Sequence, residues 1–273
     1  ELKDLLINRG IKFFTSSDTE VILNGFKYFG KNFLLNVDGM FVFAIYDIRK
    51  EKLFIYRDRA GEKPLYYVST PKLFIFSSEL KPLLRFHEKI NFELCNQGIF
   101  DYLALRYVPK DTTIVKQINK LEAGNYLELS NKNDLKICRY FSYSVTPEEY
   151  PPKKKLIDYG EKIFFNLKQS IKRRLNSDVP LGTFLSGGID STITSAIISQ
   201  DFNINLNTFS IGFENYIKSE HHTAKEISKK IETIHNEMIV TDSDIKKVFE
   251  KIGDLMDEPN GDRSYIPMYI ISK

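Results

Sequence analysis

Charge excess, paired cysteines and long apolar stretches are all missing from this sequence, and each absence closes off a class of function. Its 39 basic and 36 acidic residues leave a formal charge of only +3 over 273 positions. A nucleic-acid-binding face needs a concentrated basic footprint, and none is present. The runs Lys153-Lys154-Lys155 and Lys172-Arg173-Arg174 are short and read as solvated faces. No apolar run approaches the roughly 20 residues that a membrane helix needs. The opening Glu1-Leu2-Lys3-Asp4 has no secretory character. A cytoplasmic protein with neither a nucleic-acid nor a membrane partner is therefore expected. Cys95 and Cys138 are too few for a disulfide framework or a zinc site. Both stand in apolar or strand-like surroundings and are expected as small core residues. An initiator methionine is also missing, so Glu1 is not expected to be the natural start. Internal repeats and low-complexity tracts are absent.

What is present falls into two halves of different texture. Apolar spacing predicts a helix in residues 1–16 followed by a short strand at Ile11–Phe14, then a second helix over Glu20–Phe29. From Phe33 onward short β-prone runs take over: Met40–Tyr46, Leu53–Tyr56, Leu65–Val68 and Leu73–Phe76. Turn chemistry separates them, which predicts a β-meander layered on the helices. A helix near Asn96–Leu105 and strands at Asn125–Leu129 and Leu135–Tyr140 follow. Residues 142–155 hold three prolines and no periodicity, so they are expected to link two domains. Beyond them strand and helix alternate. Helices are predicted at Ile157–Leu175, Ser191–Ser199, Thr223–Ile231 and Ser243–Met256, the last capped by Asp242 or Ser243. Strands are predicted at Val179–Leu185 (buried), Asn205–Phe213 and Ile234–Val240. Such alternation implies a parallel sheet with right-handed crossovers.

One loop carries chemistry. Ser186-Gly187-Gly188-Ile189-Asp190-Ser191 sits between a predicted strand and a predicted helix. The glycines let the backbone approach phosphate oxygens, and the helix start offers N–H donors and a positive dipole end. Ser186 and Ser191 add hydroxyl donors. A carboxylate at Asp190 would repel phosphate unless a cation lay between them, so it argues for Mg²⁺. The loop is neither a Gly-Lys-Ser/Thr phosphate loop nor a dinucleotide-binding Gly-x-Gly-x-x-Gly. A serine- and glycine-rich turn with an ordinary helix cap is the structural alternative.

The strand–Ser-Gly-Gly-x-Asp-Ser–helix arrangement resembles the signature of ATP pyrophosphatases, which split ATP to AMP and pyrophosphate while adenylating an acid. Other runs narrow the resemblance. Ser17-Asp18-Thr19-Glu20, Gly39–Ala44, Arg57–Tyr67 and Ser77–Lys81 resemble the glutaminase half of glutamine-hydrolysing asparagine synthetases. Tyr107-Val108-Pro109 and Lys120–Gly124 resemble the run-up to the second domain of that family. Asp178-Val179-Pro180, Phe209–Phe213 and Asp257–Pro267 resemble its synthetase half. The match covers essentially the whole chain in family order.

This resemblance implies a fold of α/β and α+β type. A layered αββα glutaminase domain of N-terminal-nucleophile type, truncated, would occupy 1–145. A doubly wound parallel-sheet ATP-pyrophosphatase domain, also truncated, would occupy 156–273. It further implies ATP and Mg²⁺ as cofactors, glutamine, aspartate and ATP as small-molecule partners, and a homodimer as an open alternative to a monomer. Asp18 matches the carboxylate that holds the α-ammonium of glutamine, with a helix N-cap as its structural alternative. Leu185, Ser186, Gly187, Gly188, Asp190, Ser191 and Ile211 match the ATP site, with Leu185 and Ile211 seating the adenine and Asp190 contacting the metal. Arg263 matches a basic position near the adenylation centre, where a surface ion pair with Asp257, Glu258 or Asp262 is the alternative. His87, His221, His222 and His235 show no ligand spacing or acid–base company and are assigned no catalysis; His222 and His235 fit helix and strand surfaces.

Two family features have no counterpart here. The family's glutaminase acts through an N-terminal cysteine whose own α-amine is the base, whereas residue 1 is Glu. Cys95 and Cys138 lack such an amine, so no glutaminase activity is expected of this chain alone. The family's second Ser-Gly stretch, which completes the ATP and Mg²⁺ site, would follow Lys273. A partial sequence is therefore expected. The expected activity is ATP-dependent amidation of aspartate through an acyl-adenylate. Rival readings are the same chemistry on a surface-polysaccharide sugar acid or a β-lactam precursor, and an inactive nucleotide-binding scaffold.

Overall fold

The structure, a computed structural model, describes residues 2–130, 134–145, 153–214 and 220–273, with the backbone alone at 153–155. Most of the expected linker, 146–152, lies outside the described residues. By packing, the chain divides into two units: Glu1–Val145 with Met256–Gly261, and Thr146–Leu255 with Asp262–Lys273.

The first unit holds α1 (Leu2–Ile7), α2 (Asp18–Phe29), β1 (Val42–Asp47), β2 (Lys52–Arg57), β3 (Tyr66–Ser69), β4 (Phe74–Ser77), α3 (Lys81–Leu84), α4 (Asn96–Leu105), β5 (Asn119–Lys120), β6 (Asn125–Ser130) and β7 (Leu135–Arg139). Residues 11–14 form no strand. The expected meander is instead two antiparallel sheets, ordered β1-β2-β6-β7 and β4-β3-β5. Their layering follows from the two-residue side-chain period of strands. On β2, Phe54 and Tyr56 face the helices and join Phe26, Phe33 and Phe43. Leu53 and Ile55 face the other way and meet Leu65, Tyr67 and Leu121. On β3, Tyr66 and Val68 point outward again, onto Leu80, Leu83 and Ile118. The layers are thus helix, sheet, sheet, then a cover of α3 and loops. Each fully buried aromatic or aliphatic side chain contributes roughly 1.5–3 kcal/mol. An exposed ion pair such as Lys116–Glu93 adds about 0–1 kcal/mol, so the aromatic interleaving sets the layers.

The Arg57–Tyr67 run, prominent in the sequence, is a braced turn. The Asp58 carboxylate, fully buried, accepts from the N–H groups of Ala60 (3.1 Å), Glu62 (3.0 Å) and Lys63 (3.0 Å). Arg57 donates to the carbonyls of Lys63 and Gly61, both at 2.8 Å, and to that of Leu121. The expected core cysteines divide. Cys138 packs against the first aromatic cluster, while Cys95 caps α4, its sulfur accepting from Gly98 N–H at 3.4 Å.

Residues 256–261, expected to belong with the second domain, have polar anchors of their own in the first unit. Glu258 accepts from Lys120 Nζ at 3.1 Å and from Ile114 N–H at 3.2 Å, and Asp257 accepts from Lys81 N–H at 3.3 Å. The Lys120 and Glu258 side chains are only 15% and 13% exposed. Removing one member strands the other, so Glu258→Ala is expected to destabilise the first unit by about 1–3 kcal/mol. Glu258→Gln, which can still accept from Ile114, should cost less. Urea unfolding checks both, and an Ala variant as stable as wild type would show that the anchor contributes nothing.

The second unit holds α5 (Lys153–Arg174), β8 (Gly182–Phe184), α6 (Ile189–Ala196, continued by a wider turn to Asp201), β9 (Asn207–Phe213), α7 (His221–Lys230), β10 (Ile234–Val240), α8 (Asp242–Phe249), α9 (Ile252–Leu255) and α10 (Tyr265–Ile271). The three strands are parallel, in the order β10-β9-β8. The expected buried strand from Val179 shrinks to Gly182–Phe184, with Val179 itself exposed. The last expected helix breaks into α8 and α9, and the cap of α8 is Thr241, which forms a reciprocal capping box with Asp244. Ile171 of α5 packs with Ile197, Ile198 and Leu206. Ile157, Ile163 and Phe165 of the same helix remain exposed. Among the described residues no helix is long and apolar enough to cross a membrane.

Candidate functional site

The Ser186–Ser191 loop joins β8 to α6. Gly187 takes φ +83°, a left-handed conformation that glycine adopts freely. A Cβ there would also come within 3.1 Å of Thr223 on α7. Gly188 is the N-cap of α6 and supplies no side-chain cap. The first backbone bond back into the helix is Thr192 N–H to Gly188 carbonyl, at 3.0 Å. The N–H groups of Ile189, Asp190 and Ser191 therefore stand at the open helix start, where an anion is favoured. The two serine hydroxyls, expected as donors to a ligand, instead brace the loop. Ser186 Oγ and Ser191 Oγ lie 3.1 Å apart, Ser191 donates to Gly188 carbonyl at 3.1 Å, and Ser186 accepts from Gly188 N–H at 3.3 Å. Backbone N–H groups are thus the donors that the loop turns outward.

Asp190 lies in the first turn of α6 and is exposed. It is not the cap, since Gly188 holds that position. No group of three or more His, Cys, Asp or Glu residues that could hold a metal ion occurs among the described residues. Mg²⁺ commonly uses one or two carboxylates plus phosphate oxygens and water. An exposed carboxylate beside an anion-binding helix start fits that donor set.

Next to the loop, at the C-terminal ends of β8 and β9, is a cavity of about 410 Å³. Ligand pockets in parallel α/β sheets form at this edge. Leu185, Ser186 and Ile211, three of the residues expected to bind ATP, line it. Phe184, Phe209 and Phe213 give it apolar walls, and Pro267 and Met268 of α10 cover it. Ser210, Glu220, His221 and Ser264 are its other polar lining residues. His221 is buried at the start of α7, its ring tilted 38° against that of His222 with centroids 3.9 Å apart. It packs so closely on β9 that a Cβ at Gly212 would lie 2.6 Å from its Nδ1.

Sequence reasoning passed over His221 and His235 because their company comes from other elements. His235 on β10 has Nδ1 3.0 Å from Thr208 Oγ1 and Nε2 3.0 Å from Ser210 Oγ, both on β9. It is a networked, partly buried residue and not the strand-surface histidine expected. Spacing along one chain segment carries no sign of such a cross-strand pair. Arg263, by contrast, is exposed and is not among the cavity-lining residues, although its neighbour Ser264 is. The ion pairs weighed for it do not form among the described residues. Asp257 and Glu258 are engaged as above, and Asp262 accepts from Ser264 N–H at 2.8 Å.

In the first unit Asp18 opens α2 and is exposed. The capping role that competed with ligand binding belongs to Ser17, whose hydroxyl accepts from Thr19 N–H at 3.2 Å. Glu20 ties down the preceding loop, accepting from Phe14 N–H (2.9 Å), Thr15 N–H (2.7 Å) and the Thr15 hydroxyl (2.6 Å). The Thr15 hydroxyl first, and then these N–H groups, hold its carboxyl below the usual range. Among the described residues the Asp18 carboxylate has no such local use.

The chain thus combines a layered αβ unit with a parallel-sheet unit whose glycine loop opens on an edge cavity. Residues 1–141 match the family model of the glutamine amidotransferase domain, and residues 165–273 match that of asparagine synthase. The chain belongs to the glutamine-hydrolysing asparagine synthetase family. It is 36% identical over 264 residues to a putative glutamine-hydrolysing asparagine synthetase 2 of Methanocaldococcus jannaschii, covering 95% of this chain and 50% of that protein. It is 30% identical over 273 residues to the glutamine-hydrolysing asparagine synthetase 1 of Bacillus subtilis, covering 100% of this chain and 42% of the relative. Similarity extends at 28% identity over 193 residues to a protein of Gibberella zeae named amidase chry2, covering 69% of this chain and 27% of that one. The chain spans about half the length, or less, of these relatives.

Proposed function

We propose that the full-length protein converts aspartate to asparagine, using ATP and ammonia released from glutamine. The observation that carries this reading is the cavity at the strand ends, walled by Leu185, Ser186 and Ile211 and continuous in sequence with the Gly187–Ser191 helix start. Leu185 and Ile211 seat the adenine. The N–H groups of Ile189, Asp190 and Ser191 hold the phosphates. Asp190 holds Mg²⁺, which when bound neutralises phosphate charge. The aspartate β-carboxylate attacks the α-phosphorus, the bond to the bridging oxygen breaks, and pyrophosphate leaves. Ammonia then attacks the acyl carbon, releasing AMP and, after loss of a proton, the amide. Arg263 moves to the phosphorus as charge builds there, and Asp18 pairs with the ammonium of glutamine. The sheet layers and fully braced Asp58 turn support an N-terminal-nucleophile-type glutaminase in the first unit, and the parallel strand order supports a doubly wound synthetase in the second.

Incubating the full-length protein with aspartate, ATP, Mg²⁺ and glutamine should yield asparagine, glutamate, AMP and pyrophosphate. ADP and phosphate as products would overturn the adenylation step. Amide formed from a sugar acid or a β-lactam precursor, but never from aspartate, would replace the acid. Asp18→Asn should lower glutamine-dependent synthesis at least about 10²-fold, since a charged partner is lost from a substrate-binding pair. Synthesis from free ammonia should be unchanged. Equal loss with both nitrogen donors would make Asp18 a structural residue.

A further inference from the structure

We infer that Thr223 of α7 is a positioning residue for the Ser186–Ser191 loop, its methyl group holding Gly187 in the shape that binds phosphate. This role rests on the reading of that loop as the phosphate site given above.

The loop is tied on both sides of Gly187 but not at Gly187. Ser186 N–H donates to Ser191 Oγ at 3.3 Å, and Gly188 N–H donates to Ser186 Oγ at 3.3 Å. The N–H and carbonyl of Gly187 make no hydrogen bond among the described residues. Glycine takes either sign of φ with nearly equal ease, so its own preference does not choose φ +83°. Something else must hold it there.

Packing against α7 does so. The place that a Gly187 Cβ would occupy lies 3.1 Å from both the Cβ and the methyl carbon of Thr223, and 3.3 Å from Ala224 N. The Thr223 hydroxyl oxygen lies farther off than either carbon, so the loop meets the methyl side of this residue. Branching at Cβ restricts χ1 and keeps the methyl against the loop. Thr223 is otherwise exposed, and its hydroxyl makes no hydrogen bond among the described residues. Contact with the loop is therefore the use the structure gives this side chain.

The helix behind it is firmly seated. Ala224 is fully buried and Ser228 is 2% exposed. His221 packs on Gly212 of β9, and Lys225 pairs with Glu237 of β10 at 2.5 Å. Thr223 is thus a fixed stop on one side of the loop, and the serine brace restrains the other. Phosphate then meets a loop already in its binding shape and does not have to order it. Without the methyl, Gly187 regains freedom, and the cost of fixing it falls on ligand binding.

The test uses the full-length protein and its Thr223→Val, Thr223→Ser and Thr223→Ala variants, with a thermal melt for each. Val has the same branched shape and should bind ATP with Mg²⁺ within about twofold of wild type. Ser and Ala lack the methyl and should bind ATP and inorganic pyrophosphate about threefold to tenfold more weakly, the scale of fixing part of one residue's backbone. Adenosine has no phosphate for the loop to hold and should bind every variant as it binds wild type. Without ligand, amide exchange at Gly187, Gly188 and Ile189 should quicken in Ser and Ala but not in Val. A loss in Val with Ser unaffected would make the hydroxyl the acting group and overturn the inference. So would Ser and Ala variants that match wild type for ATP, or a loss shared equally by adenosine, which marks a pocket damaged as a whole. Wild-type protein that binds adenosine but neither ATP nor pyrophosphate overturns the phosphate reading. In that case unchanged amide exchange in Ser and Ala would show separately that the methyl does not hold the loop.

Discussion

Asp190→Asn in the full-length protein is expected to abolish aspartate-dependent exchange of labelled pyrophosphate into ATP while leaving the thermal melt nearly unchanged. Two magnitudes make the separation sharp. Asp190 sits exposed in the first turn of α6, whose cap is Gly188, so the substitution removes only a charge–dipole interaction of about 0.3–1 kcal/mol. In the proposed reaction the same charge would hold the cation that offsets the phosphates. Losing such a group costs about 10²–10³-fold in rate. The N–H donors of the helix start are untouched by the change, so weak nucleotide binding should persist. Exchange within about threefold of wild type in a folded variant would sink the metal assignment.

Gly124→Ala is the stability counterpart, and its effect should be large for a reason visible only in three dimensions. Gly124 has φ +68°, and a Cβ on it would stand 2.5 Å from the Phe141 carbonyl oxygen. Backbone on both sides is fastened. Its N–H donates to Asp58 carbonyl at 2.9 Å, and its carbonyl accepts from Tyr140 N–H at 2.9 Å and Phe141 N–H at 3.1 Å. A shift that relieved the clash would break these bonds. Left-handed strain of about 1–2 kcal/mol and overpacking of about 1–3 kcal/mol together predict a loss of roughly 2–5 kcal/mol. Gly10→Ala is the control, because its φ is +84° and nothing lies within 4 Å of the place its methyl would take. It should show the strain alone. Hydrogen exchange of β6 and β7 amides along a urea series measures the Gly124 loss, and the midpoint of global urea unfolding compares the two variants. Equal losses would refute the steric part.

These residues mark what a linear reading reaches. Asp190 stands out in the sequence as the carboxylate of a serine–glycine loop between strand and helix, and the structure places it exposed in the first turn of α6. Gly124 was legible only as part of a family-like run, since the oxygen that excludes a side chain belongs to Phe141. The elements of strongest periodicity were legible as well. Helix α4 was expected near Asn96–Leu105 and β10 at Ile234–Val240, and both form with those bounds. Where local pattern was weak the reading slipped. The apolar Ile11–Phe14 run suggested a strand, but Glu20 gathers its end through the N–H groups of Phe14 and Thr15. The run from Val179 lost its first residues because only Gly182–Phe184 finds a partner, on β9.

What the amino-acid sequence determined by itself was the family and most strands and helices, because these depend on short-range periods, turn residues and motifs of a few positions. Tertiary structure decided the rest. It split the expected meander into two sheets, since strand pairing joins β2 to β6 across a long stretch of sequence. It placed Met256–Gly261 in the first unit through Glu258. It set His235 between two β9 hydroxyls, because parallel register brings Thr208 opposite it. Pairings of this kind are set by which face of a strand is covered and by what, a property of the packed chain that no local window of residues contains.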